Sequence, residues 1–235
     1  MGTAHSDFWR SRLTIPAYRV GEAASYVRTS PQTVAAWHRR SHAARSAVVS
    51  DKEKGEGLSF LQLIEVAVVA EMRRVGVKLG EIARARDYFI KTTGLIYPFA
   101  QLKFKTDGAD VLRDDDSPVT DGAVERMISA NHNGQYIWTG VLSVRLTEFN
   151  YDESGSVETW HVAGNEKPIV IDPRVAFGAP QIKGVRTRTI KAQWVSGLEV
   201  DEVADDYSIG EVDVIEALLF EGIVRENPRI AKWIN

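Results

Sequence analysis

The apolar residues near the start of the chain fall at the spacing of two short helices. They recur three or four positions apart, first at Val20, Ala23, Ala24 and Val27, and then at Val34 and Trp37. This period predicts two α-helices with one buried face each, separated by a break at residues 28–30. Ser30 and Pro31 mark the second start, because a serine hydroxyl accepts a free backbone N–H and proline fits the first helical turn. Two helices joined by a three-residue turn predict a helix-turn-helix.

A longer apolar pattern follows this pair of helices. One stripe of residues 61–75 is formed by Leu61, Ile64, Val68, Met72 and Val75. The centre of that segment is apolar on nearly every side apart from Glu65, so we expect most of the helix to be buried. A further helix is predicted over residues 79–91. Ahead of the long helix, residues 46–50 favour a short strand and residues 51–57 a charged loop, which together predict a β-wing.

The middle of the chain predicts a β-hairpin. Leu142 to Thr147 alternate apolar and polar residues, Asp152 to Ser156 offer turn residues, and Val157 to Val162 supply a second strand. Upstream, residues 107–121 are acidic and poor in apolar side chains. We interpret Asp114 to Asp116 as a solvated loop, and a metal-binding carboxylate cluster is the alternative.

Residues 168–227 predict a separate helical unit. Its short helical segments are Ile190 to Val195, Val200 to Asp206 and Gly210 to Phe220, which predict a second helix-turn-helix-like arrangement. The expected core consists of Ile190, Trp194, Val203, Ile215, Leu218 and Leu219. So small a unit seldom covers its core alone, so we expect a homodimer. Contact through this region and contact through the hairpin are both open.

These patterns together predict an α+β fold in three parts. The chain has 235 residues, of which 44% are hydrophobic, which is ample for folded cores. We expect a winged helix-turn-helix DNA-binding domain over residues 1–100 and a β-rich middle segment with the hairpin over residues 101–165. A small helical domain with a helix-turn-helix-like arrangement is expected over residues 166–235.

Composition narrows the classes of function. The absence of cysteine removes disulfides, thiolate zinc sites and cysteine nucleophiles, and it suits a reducing cytoplasm. No apolar run approaches the roughly 20 residues of a membrane span, and residues 1–7 lack the features of a signal peptide. His38 and His42 have a spacing that could hold a metal, but no third ligand is near them. We expect a cytoplasmic, non-enzymatic protein without cofactor, metal or membrane contact.

The charge of the chain is unevenly distributed. Residues 1–100 carry 15 basic and 9 acidic side chains, whereas residues 101–235 carry 14 basic and 23 acidic ones. The first part can approach phosphate and the second should repel it.

The polar residues of the second helix and of the following loop are the candidate DNA contacts. They are Gln32, Thr33, His38, Arg39, Arg40, Arg45, Lys52 and Lys54. In a major groove, arginine and lysine would meet phosphates, while glutamine or threonine could touch base edges. The alternative is an ordinary surface helix whose terminal arginines complement the helix dipole. Trp37 shares a stripe with Val34 and is expected in the core.

The C-terminal unit carries a candidate partner surface of opposite charge. Its members are Asp201, Glu202, Asp205, Asp206, Glu211 and Asp213. A solvated helix face and a protein contact are both open interpretations of this acidic face. Catalytic carboxylates are the third, and nothing in the sequence gives them a nucleophile, metal ligand or phosphate loop. DNA binding by this unit is disfavoured because phosphate would meet negative charge.

Residues 18–90 resemble the mercury-resistance-regulator (MerR) type of winged helix. The matching motifs are Tyr18 to Ala24, Ser30 with Thr33 to Trp37, Leu58 to Phe60, and Arg73 to Leu79. The resemblance implies that the helix beginning after Ser30 recognises DNA. Ala35 and Ala36 stand where the family usually places an arginine followed by an aromatic residue. We therefore expect binding to rest largely on phosphate contacts and dimer spacing.

Residues 168–221 resemble the bacterial domain of unknown function 433. The matching motifs are Ile171 to Pro173, Gly178 to Ile182, Gly184 to Thr187, Gly197, Val203 with Ala204, and Ile215 to Leu218. Val185 stands where the family usually has threonine. The resemblance implies an antitoxin of a type II toxin-antitoxin pair, and the whole arrangement is similar to mycobacterial VapB-type antitoxins.

The function implied by both resemblances is neutralisation of a PIN-domain ribonuclease toxin together with autoregulation of the operon. The expected partners are operator DNA, with an inverted repeat matched to a dimer, and the toxin. The alternative is a stand-alone MerR-like transcriptional regulator whose C-terminal half senses a ligand. A metal-dependent hydrolase that uses Asp114, Asp116 or His132 is a third and weaker possibility.

Overall fold

The computed structural model describes residues 8–39, 47–101 and 147–234. The chain divides into two compact units, residues 1–158 and residues 159–235. The described residues combine helices with two-stranded sheets, so the predicted α+β class is confirmed. The acidic segment 107–121, His132 and the predicted strand residues 142–146 lie outside the described residues.

Most of the described first unit is helical. Its helices are α1 (Phe8–Arg12), α2 (Val20–Tyr26), α3 (Pro31–Trp37), α4 (Phe60–Arg74), α5 (Leu79–Thr93) and α6 (Pro98–Gln101). The predicted pair of short helices, the long helix and the helix after it are therefore confirmed. Helices α1 and α6 were not predicted, because one turn of helix is too short to show a period in its apolar residues.

The break between α2 and α3 is a tight, fully bonded turn. The Thr29 N–H donates to the Ala24 carbonyl over 2.9 Å and the Arg28 N–H donates to the Ser25 carbonyl over 3.2 Å. Arg28 has φ of 53°, which is the left-handed residue that this type of helix end requires. Helix α3 then begins as predicted, because the Ser30 hydroxyl accepts the Thr33 N–H over 3.1 Å.

Replacing Ser30 with alanine should lower the free energy of unfolding by about 1 kcal/mol, because the Thr33 N–H loses its acceptor. Chemical denaturation monitored by circular dichroism measures this change. Ser25→Ala is the matched control, since Ser25 is exposed within α2 and its hydroxyl bonds only the Glu22 carbonyl. A loss equal to that of the control would show that the cap contributes nothing.

The predicted strand over residues 46–50 is wrong for its described part. Residues 47–50 are buried but form no strand. The N–H groups of Val48 and Val49 both donate to the carbonyl of Trp37, over 3.1 and 3.3 Å. The backbone of Ser50 bonds to nearby side chains. Because these backbone groups already have partners, they do not need a neighbouring strand. Residues 47–59 contain no pair of strands, and their one bridge joins Leu58 to Tyr18. The β-wing therefore remains a prediction.

Helix α4 forms the centre of the first unit. Each residue from Phe60 to Met72 is buried, which confirms the predicted burial of this helix. Helix α4 packs against α2, α5 and α6. Burying a large aliphatic side chain contributes about 1.5–3 kcal/mol, so this helix supplies much of the stability of the unit.

The predicted hairpin is confirmed in its turn and in its second strand. Strands β1 (Phe149–Tyr151) and β2 (Val157–Trp160) form one sheet, and β1 lies after the residues predicted for the first strand. The turn closes because the Asp152 N–H donates to the Ser156 carbonyl over 2.9 Å. The Asp152 carboxylate accepts the N–H groups of Ser154 and Ser156.

The second unit contains a small sheet, a one-turn 3-10 helix at Ala176–Gly178 and four described α-helices. Its elements are β3 (Gln181–Ile182), β4 (Val185–Arg186), α7 (Thr187–Val195), α8 (Val200–Tyr207), α9 (Glu211–Phe220) and α10 (Pro228–Ile234). The three predicted helical segments correspond to α7, α8 and α9. The predicted core residues Ile190, Trp194, Val203, Ile215 and Leu218 are buried, while Leu219 is half-buried.

The same local structure occurs in both units, 180 residues apart in the sequence. The Glu22 carboxylate caps α2 by accepting the Arg19 N–H, and the Glu202 carboxylate caps α8 by accepting the Glu199 N–H. Helix α8 also ends like α2, with Ser208 at φ of 53°. The Ile209 N–H donates to the Ala204 carbonyl over 3.0 Å. Each turn leads directly into the next helix, α3 or α9.

None of the helices in residues 8–39, 47–101 and 147–234 combines the length and the apolar character needed to cross a membrane.

Candidate nucleic-acid and partner surfaces

Helix α3 exposes few of the side chains predicted to contact DNA. Gln32 and Arg39 are exposed, so both can reach a ligand in solvent. Thr33 is half-buried, and its hydroxyl lies 2.8 Å from the Ser30 hydroxyl. The Thr33 side chain therefore takes part in the helix cap as well as in the exposed face.

His38 lies in the interior, which corrects its predicted place among the DNA contacts. The residue is 6% exposed, and its Nδ1 atom lies 2.7 Å from the Ser50 carbonyl oxygen. A carbonyl oxygen can only accept, so Nδ1 carries the proton. Burial is the main cause that lowers the pKa of His38, although the bond to the Ser50 carbonyl opposes the shift. A buried neutral imidazole cannot serve as a phosphate contact.

The predicted loop contacts differ in how accessible they are. Lys54 is exposed. Lys52 is half-buried, and its ammonium group donates to the carbonyls of Glu53 and Glu56 over 3.1 and 2.6 Å. Lys52 therefore bonds its own loop in this structure. Arg40 and Arg45 lie outside the described residues.

A buried charged pair contacts the segment that follows α3. The Glu65 carboxylate on α4 is fully buried, and it accepts the Ser50 N–H over 2.8 Å. Its other oxygen lies 3.6 Å from Nε of Arg86 on α5, whose guanidinium donates to the Ile96 carbonyl over 3.2 Å. Burial raises the pKa of Glu65, and the Arg86 charge opposes that shift.

These buried side chains determine the position of the backbone that follows α3. Ser50 is bonded on one side to His38 and on the other to Glu65, and Gln62 donates to the Asp51 carbonyl over 2.8 Å. Polar groups buried in this way are costly unless they are bonded, so each such bond favours one position of the segment. The network joins the end of α3 to the residues that lead into the Lys52 loop.

Sequence reasoning missed Arg28 as a basic side chain near α3. Arg28 is exposed and occupies the left-handed position of the turn. Glycine is the usual residue there, and a side chain in this conformation costs about 1–2 kcal/mol. An arginine in the predicted break was the available signal, and only the backbone conformation shows that it is held in the turn.

The acidic face of the second unit is accessible in most of its members. Asp201, Asp205, Asp206 and Glu211 are exposed. Glu202 is exposed as well, but its carboxylate caps α8. Asp213 caps α9 by accepting the Gly210 N–H over 3.0 Å, and it accepts Nζ of Lys183 over 2.7 Å. Two of the six predicted contacts therefore have structural roles.

A loop before β3 holds an aromatic residue in solvent. Ala176 and Phe177 have φ values of 52° and 58°, and Phe177 has ψ of 33°, so two non-glycine residues in a row are left-handed, at a cost of about 1–2 kcal/mol each. Asp172 stabilises the loop start by accepting the Arg174 N–H over 2.8 Å and its guanidinium over 2.9 Å. Phe177 is 74% exposed.

The turn between β3 and β4 places a cation beside this ring. Strand β3 pairs antiparallel with β4, with Gln181 opposite Arg186. The turn residues Lys183 and Gly184 have φ values of 50° and 90°, as a two-residue hairpin of this hand requires. The guanidinium carbon of Arg186 lies 5.6 Å from the centre of the Phe177 ring, within the range of a cation–π contact.

The described residues bring together no group of three or more His, Asp or Glu side chains that could hold a metal ion. His42 and the acidic residues 114–116 lie outside the described part, so the metal interpretations that rest on them have no structural account.

Comparison with known proteins gives similarities to the whole chain and to its second unit. Residues 169–220 match the family model described as "Protein of unknown function (DUF433)", which confirms the resemblance of the C-terminal domain. The chain is 26% identical over 228 residues to a Mycobacterium tuberculosis protein named "Putative antitoxin VapB45", covering 88% of this chain and 94% of that protein. The crystal structure of Rv2018 from Mycobacterium tuberculosis has the same fold, with a TM-score of 0.66 and 21% identity over 88% of this chain and 99% of that chain. This chain therefore shares its fold, over most of its length, with a protein of known structure.

Proposed function

We propose that this protein is the antitoxin of a type II toxin-antitoxin pair, which neutralises a PIN-domain ribonuclease and represses its own operon. The observation that carries the proposal is the similarity to a protein named as an antitoxin, because it extends over 88% of this chain and 94% of the relative. A similarity of that extent includes both units rather than one shared module. The stand-alone ligand-sensing regulator gains no support from these comparisons.

The geometry of the first unit supports the DNA-binding half of the proposal. Helices α2 and α3 are joined by a closed turn, and α3 begins at the Ser30 cap. Gln32 is exposed on α3, and Arg39 is exposed two residues after its end. Residues 1–100 also carry a net positive charge of 6. Arg28 is added to the proposed DNA contacts, which keep Lys54, and His38 is removed from them. The protein acts as a homodimer that places two α3 helices on an inverted repeat.

The second unit supplies the proposed contact with the toxin. The exposed acids of α8 and α9, Asp201, Asp205, Asp206 and Glu211, lie on a helix pair whose turn matches that of α2 and α3. The charge of this pair repels phosphate, so the same local structure suits protein rather than DNA. Neutralisation in this proposal is steric and electrostatic and needs no catalysis by this chain.

Co-expression tests the antitoxin proposal directly. The proposal expects the adjacent reading frame to encode the PIN-domain toxin. Its product is induced alone and together with this protein, and growth and intact RNA are measured. We expect arrest and RNA cleavage with the toxin alone, and neither with the pair. A harmless neighbouring product, or equal toxicity in the presence of this chain, would contradict the proposal.

Replacing Arg39 and Arg40 with alanine should weaken DNA binding for specific and random duplexes alike. Each lost phosphate contact lowers the slope of log K against log salt by about 0.9. Fluorescence anisotropy with the promoter fragment and a scrambled duplex at several salt concentrations measures both effects. Arg84→Ala with Lys91→Ala is the matched control, because it removes two exposed charges from α5 of the same unit. Equal slopes for the two double variants would place the DNA contact elsewhere.

A further inference from the structure

The Phe177 platform consists of Phe177, Arg186 and Lys183. Phe177 is 74% exposed, and the Arg186 guanidinium lies 5.6 Å from the centre of its ring. Lys183 is exposed in the adjacent turn, where its ammonium group meets Asp213. Aromatic residues, phenylalanine among them, and arginine are enriched at the cores of protein interfaces. The structure places one of each side by side in solvent.

The backbone beneath the platform is not explained by the packing of the unit. The core is filled by residues such as Trp160, Ile169 and Ile182, which are at most 1% exposed, whereas Phe177 is 74% exposed, so most of its ring lies outside the core. Ala176 and Phe177 nevertheless hold left-handed conformations. Sparsely populated conformations persist at sites where they have a use, because folding alone does not favour them. The use indicated here is presentation of the Phe177 ring.

The charge around the platform indicates what it can meet. From Arg174 to Lys191 the chain has five basic residues and no acidic one, whereas from Ala192 to Glu216 it has eight acidic residues and no basic one. Arg174 is paired with Asp172 and Lys183 with Asp213, so the cation that the platform offers to a partner carboxylate is Arg186, beside the Phe177 ring. A nucleic acid is a long polyanion and would also meet the acidic helices, which repel phosphate. A protein surface can restrict its negative charge to the contact.

We propose that the Phe177 platform anchors the second unit to a protein surface that has an apolar recess rimmed by carboxylates. The inference rests on the proposed function, in which the toxin is the partner protein. In this arrangement the Phe177 ring enters the recess and Arg186 meets a carboxylate at its rim. The platform meets the acidic face of α8 and α9 at the Lys183–Asp213 ion pair. The exposed acids Asp201, Asp205, Asp206 and Glu211 form the part of that face whose charge fits a basic surface.

The test measures binding of the full-length chain to the purified toxin, which the proposed function assigns to the adjacent reading frame, by biolayer interferometry. Phe177→Ala should raise the dissociation constant at least about tenfold, as truncation of an interface anchor does. Arg186→Glu should weaken binding more than Arg186→Ala, because it reverses the charge that meets the carboxylates. Val224→Ala is the control, since Val224 is 61% exposed on the same unit. Thermal melts confirm that each variant is folded.

The outcomes separate the platform from the proposed function. If the wild-type chain does not bind the toxin, the antitoxin proposal fails and the platform loses its partner with it. If the wild type binds and Phe177→Ala binds equally well, the antitoxin proposal stands and the platform inference is wrong. The inference is also overturned if Arg186→Glu binds as tightly as Arg186→Ala. A second copy of this chain is the other protein that could contact the platform, and sedimentation velocity of each variant measures this self-association. Loss of self-association with unchanged toxin binding would refute the toxin as the partner.

Discussion

Glu65→Ala is expected to lower the free energy of unfolding by about 3–5 kcal/mol, because it leaves Arg86 as a buried charge without its partner. Arg86 is 8% exposed and Glu65 is fully buried, so water cannot replace the lost carboxylate. The Ser50 N–H, which donates to Glu65 over 2.8 Å, loses its acceptor as well. The midpoint of thermal unfolding should fall by roughly 6–20 °C, and hydrogen exchange should accelerate in peptides from residues 47–101.

The double variant Glu65→Leu with Arg86→Met separates the cost of a broken pair from the value of the pair. Removing both charges and filling the space with apolar groups is often neutral or stabilising. We therefore expect the double variant to recover most of the stability that Glu65→Ala loses. Glu56→Ala provides the surface control, because Glu56 is exposed. A double variant as unstable as Glu65→Ala would mean that the bond to Ser50, and not the uncompensated charge, dominates.

Trp160→Ala should lower the free energy of unfolding of the second unit by about 3–5 kcal/mol, because deleting the indole leaves a cavity. Trp160 is fully buried. Its backbone exchanges two hydrogen bonds with Ile171, over 3.0 and 2.8 Å, directly before the loop that carries Phe177. Denaturation followed by hydrogen exchange in peptides from residues 159–234 measures the loss. Weaker toxin binding should accompany it, because Ile171, which is hydrogen-bonded to Trp160, lies directly before the loop that carries Phe177.

Phe177→Ala is the matched control for the Trp160 variant. Both changes delete an aromatic ring from the same unit, but Phe177 is 74% exposed. Exposed substitutions usually change the free energy of unfolding by less than about 0.5 kcal/mol. A comparable loss of stability in the two variants would show that the Phe177 ring contributes to folding, and this would remove the basis for the platform.

The helices could be predicted from the sequence wherever a period was long enough to see. The Ser30 cap, the buried helix α4 and the segments of α7 to α9 follow from apolar spacing and capping residues. The path of residues 47–50 could not be predicted, because their bonds go to His38, Glu65 and the end of α3. Those partners are distant in the sequence, and local preference cannot reveal them.

The candidate sites were predictable in composition but not in exposure. His38 and Arg39 are neighbours in the sequence, yet one is 6% exposed and the other is open to solvent. Phe177 would be assigned to the core by its hydrophobicity. Only the folded structure, in which Phe177 is 74% exposed, shows that this ring lies in solvent. Burial of individual residues depends on the path of the chain in three dimensions, which the pattern of apolar positions leaves open.

The matching turns at Arg28 and Ser208 have a consequence for protein engineering. The same backbone, with φ of 53° at both residues, leads into a helix of a basic region in one unit and into an acidic helix in the other. The backbone of such a motif is thus separable from its electrostatic sign. A designer could keep the caps and turn of the second copy and exchange only its exposed side chains, so that a single chain would offer two interchangeable recognition modules.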